Sequence, residues 1–272
     1  MEQIDFSKSA QYTLSIRLSA DGFSFSIYNP ISDHSLNYLP LEVDTHLPLT
    51  VNLRELMKSD FFRYDYKRVN VLLVSHRFTL CPGEFVQDEH LFDRLLNANH
   101  PRRENEVVLC NELGKADVGV VFGMDRSGWM SISERYPEVR FYAHVSPLLE
   151  FFAGKSRMGN SRKMYAYLRP GYVDVCCFER GRLLLANSYV ASRTGDVLYY
   201  LLYIGRQLGY DAERDELHLA GNMVGRDELL AELRSYVRQV FVVNPRSEYN
   251  PSASVPIEEV PFDLQSLFLC EI

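Results

Sequence analysis

The chain has 272 residues, of which 46% are hydrophobic, and its formal net charge is −7. This acidic balance argues against non-specific nucleic-acid binding, and no apolar stretch reaches the ~18 residues needed to cross a membrane. The first residues form neither a basic nor an apolar segment, so we expect no signal peptide. Five cysteines without regular spacing are typical of reduced thiols in a cytoplasmic protein.

The first half of the chain begins with a predicted strand hairpin. Two runs alternate apolar and polar side chains, which is the period of a half-buried strand: residues 12–18 and 23–28. Asp21-Gly22 between them is a typical hairpin turn, because glycine adopts positive φ at little cost. The pattern then predicts a third strand over 36–41 and a helix over 47–58.

Extra elements precede the end of this half. The sequence predicts strands over 69–75 and 78–81, a helix over 84–97 and a strand over 107–113. A unit of strand, glycine turn, helix and strand closes the half over 118–142, and such a unit joins parallel strands. We therefore predict an insertion at about 61–113 in a first lobe of residues 1–153.

The second half repeats this order in shorter form. Its predicted strands and helices lie over 164–168, 172–178, 182–189, 194–208, 217–220, 226–237 and 240–243. The first hairpin turn is Pro170-Gly171, and Gly221 follows the fourth strand. The repetition predicts an internal duplication, with a second lobe over 164–272.

The tail from residue 244 is interrupted by prolines and then becomes apolar. Leu264, Leu267 and Phe268 have the spacing of one helical face. A disordered tail seldom ends so hydrophobically, so we expect this one to dock on the body of the protein or on a partner.

Two copies of a three-strand meander followed by crossover units resemble the actin-like ATPase fold. This resemblance implies an α/β protein with two ribonuclease H-like lobes in tandem, mixed sheets flanked by helices, and an insertion in the first lobe. Three strings are also similar to an uncharacterised Bacteroidetes family assigned to this fold: Val-Leu-Leu-Val-Ser at 71–75, Phe-Thr-Leu-Cys-Pro at 78–82 and Pro-Phe-Asp-Leu at 261–264.

The resemblance implies a Mg-ATP site between the lobes, but the matching positions depart from the family pattern. The first hairpin has Asp21-Gly22 where active members have Asp-x-Gly. The second has Gly171 but no acid, and Pro170 lacks an N–H group. At the adenosine side, Gly221-Asn222 replaces Gly-Gly. We therefore expect no cofactor, with ATP and magnesium as the alternative.

The best polar cluster is Ser192-Arg193-Thr194-Gly195-Asp196, at the start of the predicted helix over 194–208. A helix N-terminus favours an anion, and Arg193 adds charge. The competing interpretation is ordinary capping by Thr194 with Asp196 in the first turn. The seven histidines form no zinc motif, so neither a metal site nor catalytic residues are predicted.

The sequence leaves three functions open. The first is a degenerate actin-like protein, a pseudo-ATPase that acts as a scaffold or interaction module for a protein partner. The second is an ATPase or kinase-like enzyme with divergent phosphate loops. The third is an unrelated enzyme that uses the cleft between the lobes. Fold analogy alone does not separate them, because function depends on the site.

Overall fold

The structure is a computed structural model that describes residues 4–20, 22–30, 36–44, 46–244 and 259–270. Within these ranges the strands are β1 (Thr13–Ser19), β2 (Gly22–Tyr28), β3 (Leu36–Leu41), β4 (Arg68–Leu73), β5 (Phe78–Pro82), β6 (Glu106–Leu113), β7 (Val118–Asp125), β8 (Arg140–Ala143), β9 (Arg162–Arg169), β10 (Tyr172–Glu179), β11 (Arg182–Val190), β12 (Glu216–Gly221) and β13 (Gln239–Val242). The helices are α1 (Leu49–Leu56), α2 (Glu89–Asn99), α3 (Arg126–Arg135), α4 (Val145–Ser156), α5 (Thr194–Gln207), α6 (Arg226–Leu233) and α7 (Phe262–Cys270). None of these helices is long and apolar enough to cross a membrane.

The first sheet has the strand order β3-β2-β1-β4-β8. β1 runs antiparallel to β2 and parallel to β4, and β4 runs parallel to β8. Alternate residues of a strand point to opposite faces, and Leu14, Ile16 and Leu18 of β1 are buried on one of them. They share a core with Leu53 of α1 and Ile132 of α3, so these two helices cover that face.

The second sheet has the order β11-β10-β9-β12-β13, which is the same topology in chain order. β9 pairs antiparallel with β10 and parallel with β12. Met164 and Ala166 of β9 share a core with Val197 of α5 and Leu229 of α6. Each five-stranded sheet, with the helices on its outer face, forms one lobe.

Two further helices each follow the sheet of one lobe in the chain but pack on the sheet of the other lobe. α4 follows the first sheet but packs on the second, where the rings of Phe152 and Tyr165 stack with centroids 4.2 Å apart. α7 follows the second sheet but packs on the first, where Leu264 shares a core with Leu72 of β4. The two helices also touch, with the rings of Phe262 and Phe152 6.0 Å apart. This exchange joins the lobes over their inner faces.

A third sheet, β5-β7-β6, is antiparallel and carries α2 on one face. Its strands do not coincide with the predicted insertion, about 61–113. β4 pairs with β1 in the first sheet, whereas β7, which the sequence assigned to the closing unit, lies in the third sheet. A short apolar run looks alike in a buried parallel strand and in the middle of an antiparallel sheet, so periodicity does not separate them.

The tail docks as α7. Leu264 and Leu267 are buried, and Phe268 packs against the same core, as their spacing predicted. This core belongs to the first sheet, not to the second lobe to which the sequence assigned the tail. The apolar groove that receives the helix is formed by Leu72 and Tyr142 together with Leu36.

Candidate functional site between the lobes

A cleft of about 1010 Å³ lies between the lobes. Its walls include the β1–β2 hairpin of the first lobe and, from the second, the end of β9 and the turn after β12. Three of the predicted nucleotide-binding residues line it together: Gly22, Gly221 and Asn222. Three others do not line it: Gly171, Arg193 and Thr194. Asp21 lies outside the described residues.

The turn after β12 is held tightly against β9. Gly221 has a φ of +76°, and a Cβ atom at this position would overlap the carbonyl oxygen of Leu168. The Asn222 backbone N–H donates to that same oxygen over 3.2 Å, and Arg226 Nη1 donates to the Gly221 carbonyl over 3.2 Å. Glycine is therefore required here by the close approach of two backbones.

The turn after β9 does not form a phosphate cradle. Pro170 lines the cleft but has no N–H to offer an anion. Gly171 is exposed, has a φ of +73°, and accepts a hydrogen bond from the Ala191 backbone N–H over 2.9 Å. Arg169, which precedes the turn, is bonded to Asp174 instead of being free for a ligand.

Asp263, at the start of α7, binds Arg17 in the wall of the cleft. Arg17 Nε lies 3.0 Å from both carboxylate oxygens, and Nη2 lies 2.9 Å from Oδ2. Burial lowers the pKa of Arg17, but the Asp263 carboxylate raises it by more, so the guanidinium stays charged. The chain's own C-terminal helix therefore neutralises Arg17, one of three arginines that line the cleft.

The face of the first sheet beside this ion pair is polar. The hydroxyls of Ser15, Ser24 and Ser26 are buried there and have no hydrogen-bond partner among the described residues. Ser24 also lines the cleft. Leaving a buried polar group unpaired costs about 1–3 kcal/mol, so this face suits an ordered water or a polar ligand.

A second buried ion pair lies in the second lobe, and a hydrogen bond from His144 joins it to the first lobe. In the second lobe, Arg169 Nε donates to Asp174 Oδ2 over 2.7 Å, and Arg169 Nη2 donates to Ser188 Oγ over 2.9 Å. His144, just before α4, places Nε2 2.9 Å from the same Asp174 oxygen. Burial raises the pKa of Asp174, but His144 and Arg169 lower it by more, so the carboxylate is ionised.

The N-terminus of α5 is capped by residues of the chain itself. The N-cap residue is Arg193, one position before the predicted Thr194. Its backbone N–H donates to Asp196 Oδ2 over 3.0 Å, so the carboxylate of the first turn takes the place that an external anion would fill. Thr194 lies against Gly225 and does not line the cleft. Capping, not anion binding, is the role the geometry supports here.

Sequence reasoning missed the charged residues of the site: Arg17, His144, Arg169, Asp174 and Asp263. A signal was present, because Arg17 and Asp174 stand in the middle of otherwise apolar strands. A charged side chain at a buried strand position requires a partner. The sequence does not name the partner, and Asp263 lies 246 positions from Arg17.

Solved structures show what this chain resembles. A protein from Bacteroides thetaiotaomicron VPI-5482 with an actin-like ATPase fold and unknown function is 48% identical, with a TM-score of 0.86. The match covers 98% of this chain and 99% of that one. The type IV pilus protein complex PilM–PilN gives a TM-score of 0.53 at 10% identity, covering 95% of each chain. The predicted two-lobe actin-like ATPase fold is thereby confirmed.

No curated protein matches the sequence. The model of one protein family does match, over residues 1–240, which is most of the chain. That family is described as a protein of unknown function, DUF3822. The predicted likeness to an uncharacterised family with this fold is therefore confirmed, and the chain belongs to the DUF3822 family.

Proposed function

We propose that this protein is a degenerate actin-like protein, a pseudo-ATPase that acts as a scaffold or interaction module for a protein partner. The observation that carries the proposal is the Arg17–Asp263 pair. It places a carboxylate of the chain itself on Arg17, one of three arginines that line the interlobe cleft, where a ligand anion would otherwise bind.

The two buried acids beside the cleft are not free to hold magnesium as active members of the superfamily do, and the acids that line it are Glu42 and Glu259. Magnesium is bound through free carboxylates together with phosphate oxygens. Asp263 is bonded to Arg17, and Asp174, beside the second hairpin, is bonded to Arg169 and His144. The second hairpin also lacks the backbone N–H that Pro170 removes. No hydrolytic step is therefore derived for this cleft.

One further observation supports an interaction role, and another suits the expected cytoplasmic location. PilM, a protein of similar fold, occurs in a type IV pilus biogenesis complex with PilN, so this fold takes part in assemblies. All five cysteines are free thiols, which suits a cytoplasmic protein. Burial raises the pKa of Cys110 and of Cys177 to about 12, so neither is a reactive thiolate.

A nucleotide-binding enzyme with divergent phosphate loops is the second candidate. Ser24 favours it, because its hydroxyl is buried, unpartnered among the described residues and in the cleft wall. The volume of about 1010 Å³ is also at the upper end of the range for small-molecule sites. This candidate requires a ligand that displaces the Asp263 carboxylate or binds beside it.

Thermal shift and calorimetric titration with Mg-ATP and Mg-ADP separate the two candidates. We expect no ATPase activity and a Kd weaker than ~1 mM, which corresponds to about −4 kcal/mol. A ligand at 100 times its Kd would stabilise the fold by about 2.7 kcal/mol, which such an assay detects. Micromolar binding that is lost in Asp21→Ala but kept in Asp60→Ala, an exposed aspartate outside the cleft, would overturn the proposal.

A further inference from the structure

The third sheet ends in a strand edge that is open along residues 106–110; beyond it, Asn111 binds the Phe141 carbonyl and the Ala143 N–H of β8. β6 pairs with β7 on one side, and no strand pairs with its other side in the part of the chain that the structure describes. Val107, Val108, Leu109 and Cys110 are all partly exposed along this edge. Proteins usually blunt or cover such edges, because their free N–H and C=O groups recruit another strand.

A groove of about 1110 Å³ runs between this edge and α2. The segment that joins α2 to β6 is short, so the helix and the strand run in opposite directions along the groove. The N-terminal end of α2 therefore lies beside the C-terminal end of β6, and the C-terminal end of α2 lies beside the start of β6.

The charges along the groove differ between its two ends. Four arginines belong to the end where β6 starts or to the half of α2 that faces it: Arg94, Arg102, Arg103 and Arg126. The other end carries Glu112 of β6 and Glu89 of α2, and Arg140 of β8 lies near Glu112 on the side away from α2. Of the acids at the basic end, Glu106 is bonded to Arg77, and Glu104 is exposed. Arg102, Arg103 and Glu89 form no ion pair with a described residue and are exposed.

This polarity fits a second copy of the same strand. In an antiparallel pairing across a twofold axis, the basic end of one groove faces the acidic end of the other, and the reverse holds at the second end. The same operation places the two α2 helices on one face of a continuous six-stranded sheet. We propose that the protein forms a homodimer by edge-to-edge pairing of β6.

Charge reversal tests the dimer by sedimentation velocity over a dilution series of the full chain. Arg102→Glu with Arg103→Glu is expected to raise the dimer Kd by about 100-fold or more, because like charges then face each other. Glu89→Arg with Glu112→Arg is expected to do the same. An equimolar mixture of the two variants restores complementary ends and is expected to form a heterodimer. Added salt should weaken the wild-type dimer.

The matched control is Lys58→Glu with Arg63→Glu, which reverses two exposed cations far from the groove and should leave the dimer intact. Circular dichroism of each variant verifies that it is folded. The proposal is overturned if the wild type stays monomeric at every concentration. The β6 edge would then be available to a strand of another protein. It is equally overturned if the arginine variant dimerises as well as the control, or if the mixture stays monomeric.

Discussion

A single backbone position, Gly221, fixes one wall of the cleft. Its positive φ and the closeness of the Leu168 carbonyl leave no room for a side chain. Gly195 has no atom within 4 Å of its ideal Cβ position and lies in the first turn of α5. The two glycines therefore make a matched pair of substitution sites.

Gly221→Ala is expected to destabilise the protein by about 1–3 kcal/mol, because alanine in the left-handed region is strained and its methyl group meets the backbone of β9. Gly195→Ala is expected to be neutral or to stabilise by about 0.4–1 kcal/mol through the unfolded chain. Urea unfolding of both variants measures the difference. Equal stabilities would show that the turn after β12 is not held as described.

Turn residues could be predicted from the sequence, because turn preferences depend only on neighbouring residues in the chain. The glycine turns at positions 22 and 221 follow from turn preferences, and both line the cleft. Prediction failed where a residue depends on a distant partner. Arg17 and Asp174 could be recognised as charges in apolar strands, but their partners are chosen by tertiary packing, which one sequence does not reveal.

Among the elements, α7 is the one whose role depends most on packing. It is too short to be stable alone in water, so its contacts with the first sheet hold it in place. Leu264 and Leu267 are buried against Leu72 and Tyr142, and burying such side chains is worth about 1.5–3 kcal/mol each. The Arg17–Asp263 pair adds a polar contact at its first turn.

Deleting residues 261–272 is expected to lower the melting temperature by several degrees and to expose an apolar surface on the first sheet. Differential scanning calorimetry and binding of a hydrophobic dye measure the two effects. The single substitution Leu264→Ala should lower the free energy of unfolding by about 2–5 kcal/mol. Val224→Ala, at a side chain that is 97% exposed, should change it little. A truncated protein of unchanged stability would mean that α7 does not contribute to the fold.

Element assignment from sequence failed at β4 and β7. Both are short apolar runs, and each could complete a parallel sheet. What distinguishes them is their partner: β4 lies between β1 and β8, whereas β7 lies between β5 and β6. Strand pairing of this kind joins segments far apart in the chain, so the hairpins were predictable and the crossover strand was not.

At the scale of the whole molecule, the lobes meet through a buried charge. His144 belongs to the first lobe, Asp174 and Arg169 belong to the second, and the Asp174 side chain is fully buried. Removing one member of a buried ion pair leaves the other uncompensated, which typically costs about 3–5 kcal/mol. This contact therefore couples the stability of one lobe to that of the other.

Asp174→Asn is expected to lose about 3–5 kcal/mol of unfolding free energy at neutral pH. The pKa of Asp174 is lowered in the folded state, so its contribution is complete above the unfolded value of about 3.9 and is lost as the pH falls further. Wild type should thus lose stability in acid more steeply than the variant. Denaturant unfolding between pH 7 and acid measures both curves, and parallel curves would contradict the assignment.

Glu179→Gln is the control for that experiment, because Glu179 pairs with Arg162 at a partly exposed site. The pKa of Glu179 is also lowered, chiefly by its hydrogen bond from Arg162. Solvent screening weakens such pairs, so its effect should be small at every pH.

The exchange of α4 and α7 between the lobes has a consequence for biosynthesis. The strands of the first sheet are complete once residue 143 has been made, but the helix that covers its inner face spans Phe262–Cys270. At ~5–20 residues per second, the ribosome needs on the order of ten seconds to reach it. During that time Leu36, Leu72 and Tyr142 lack the helix that buries them in the finished protein. The nascent first lobe is therefore a natural client for a chaperone that holds apolar surface until translation ends.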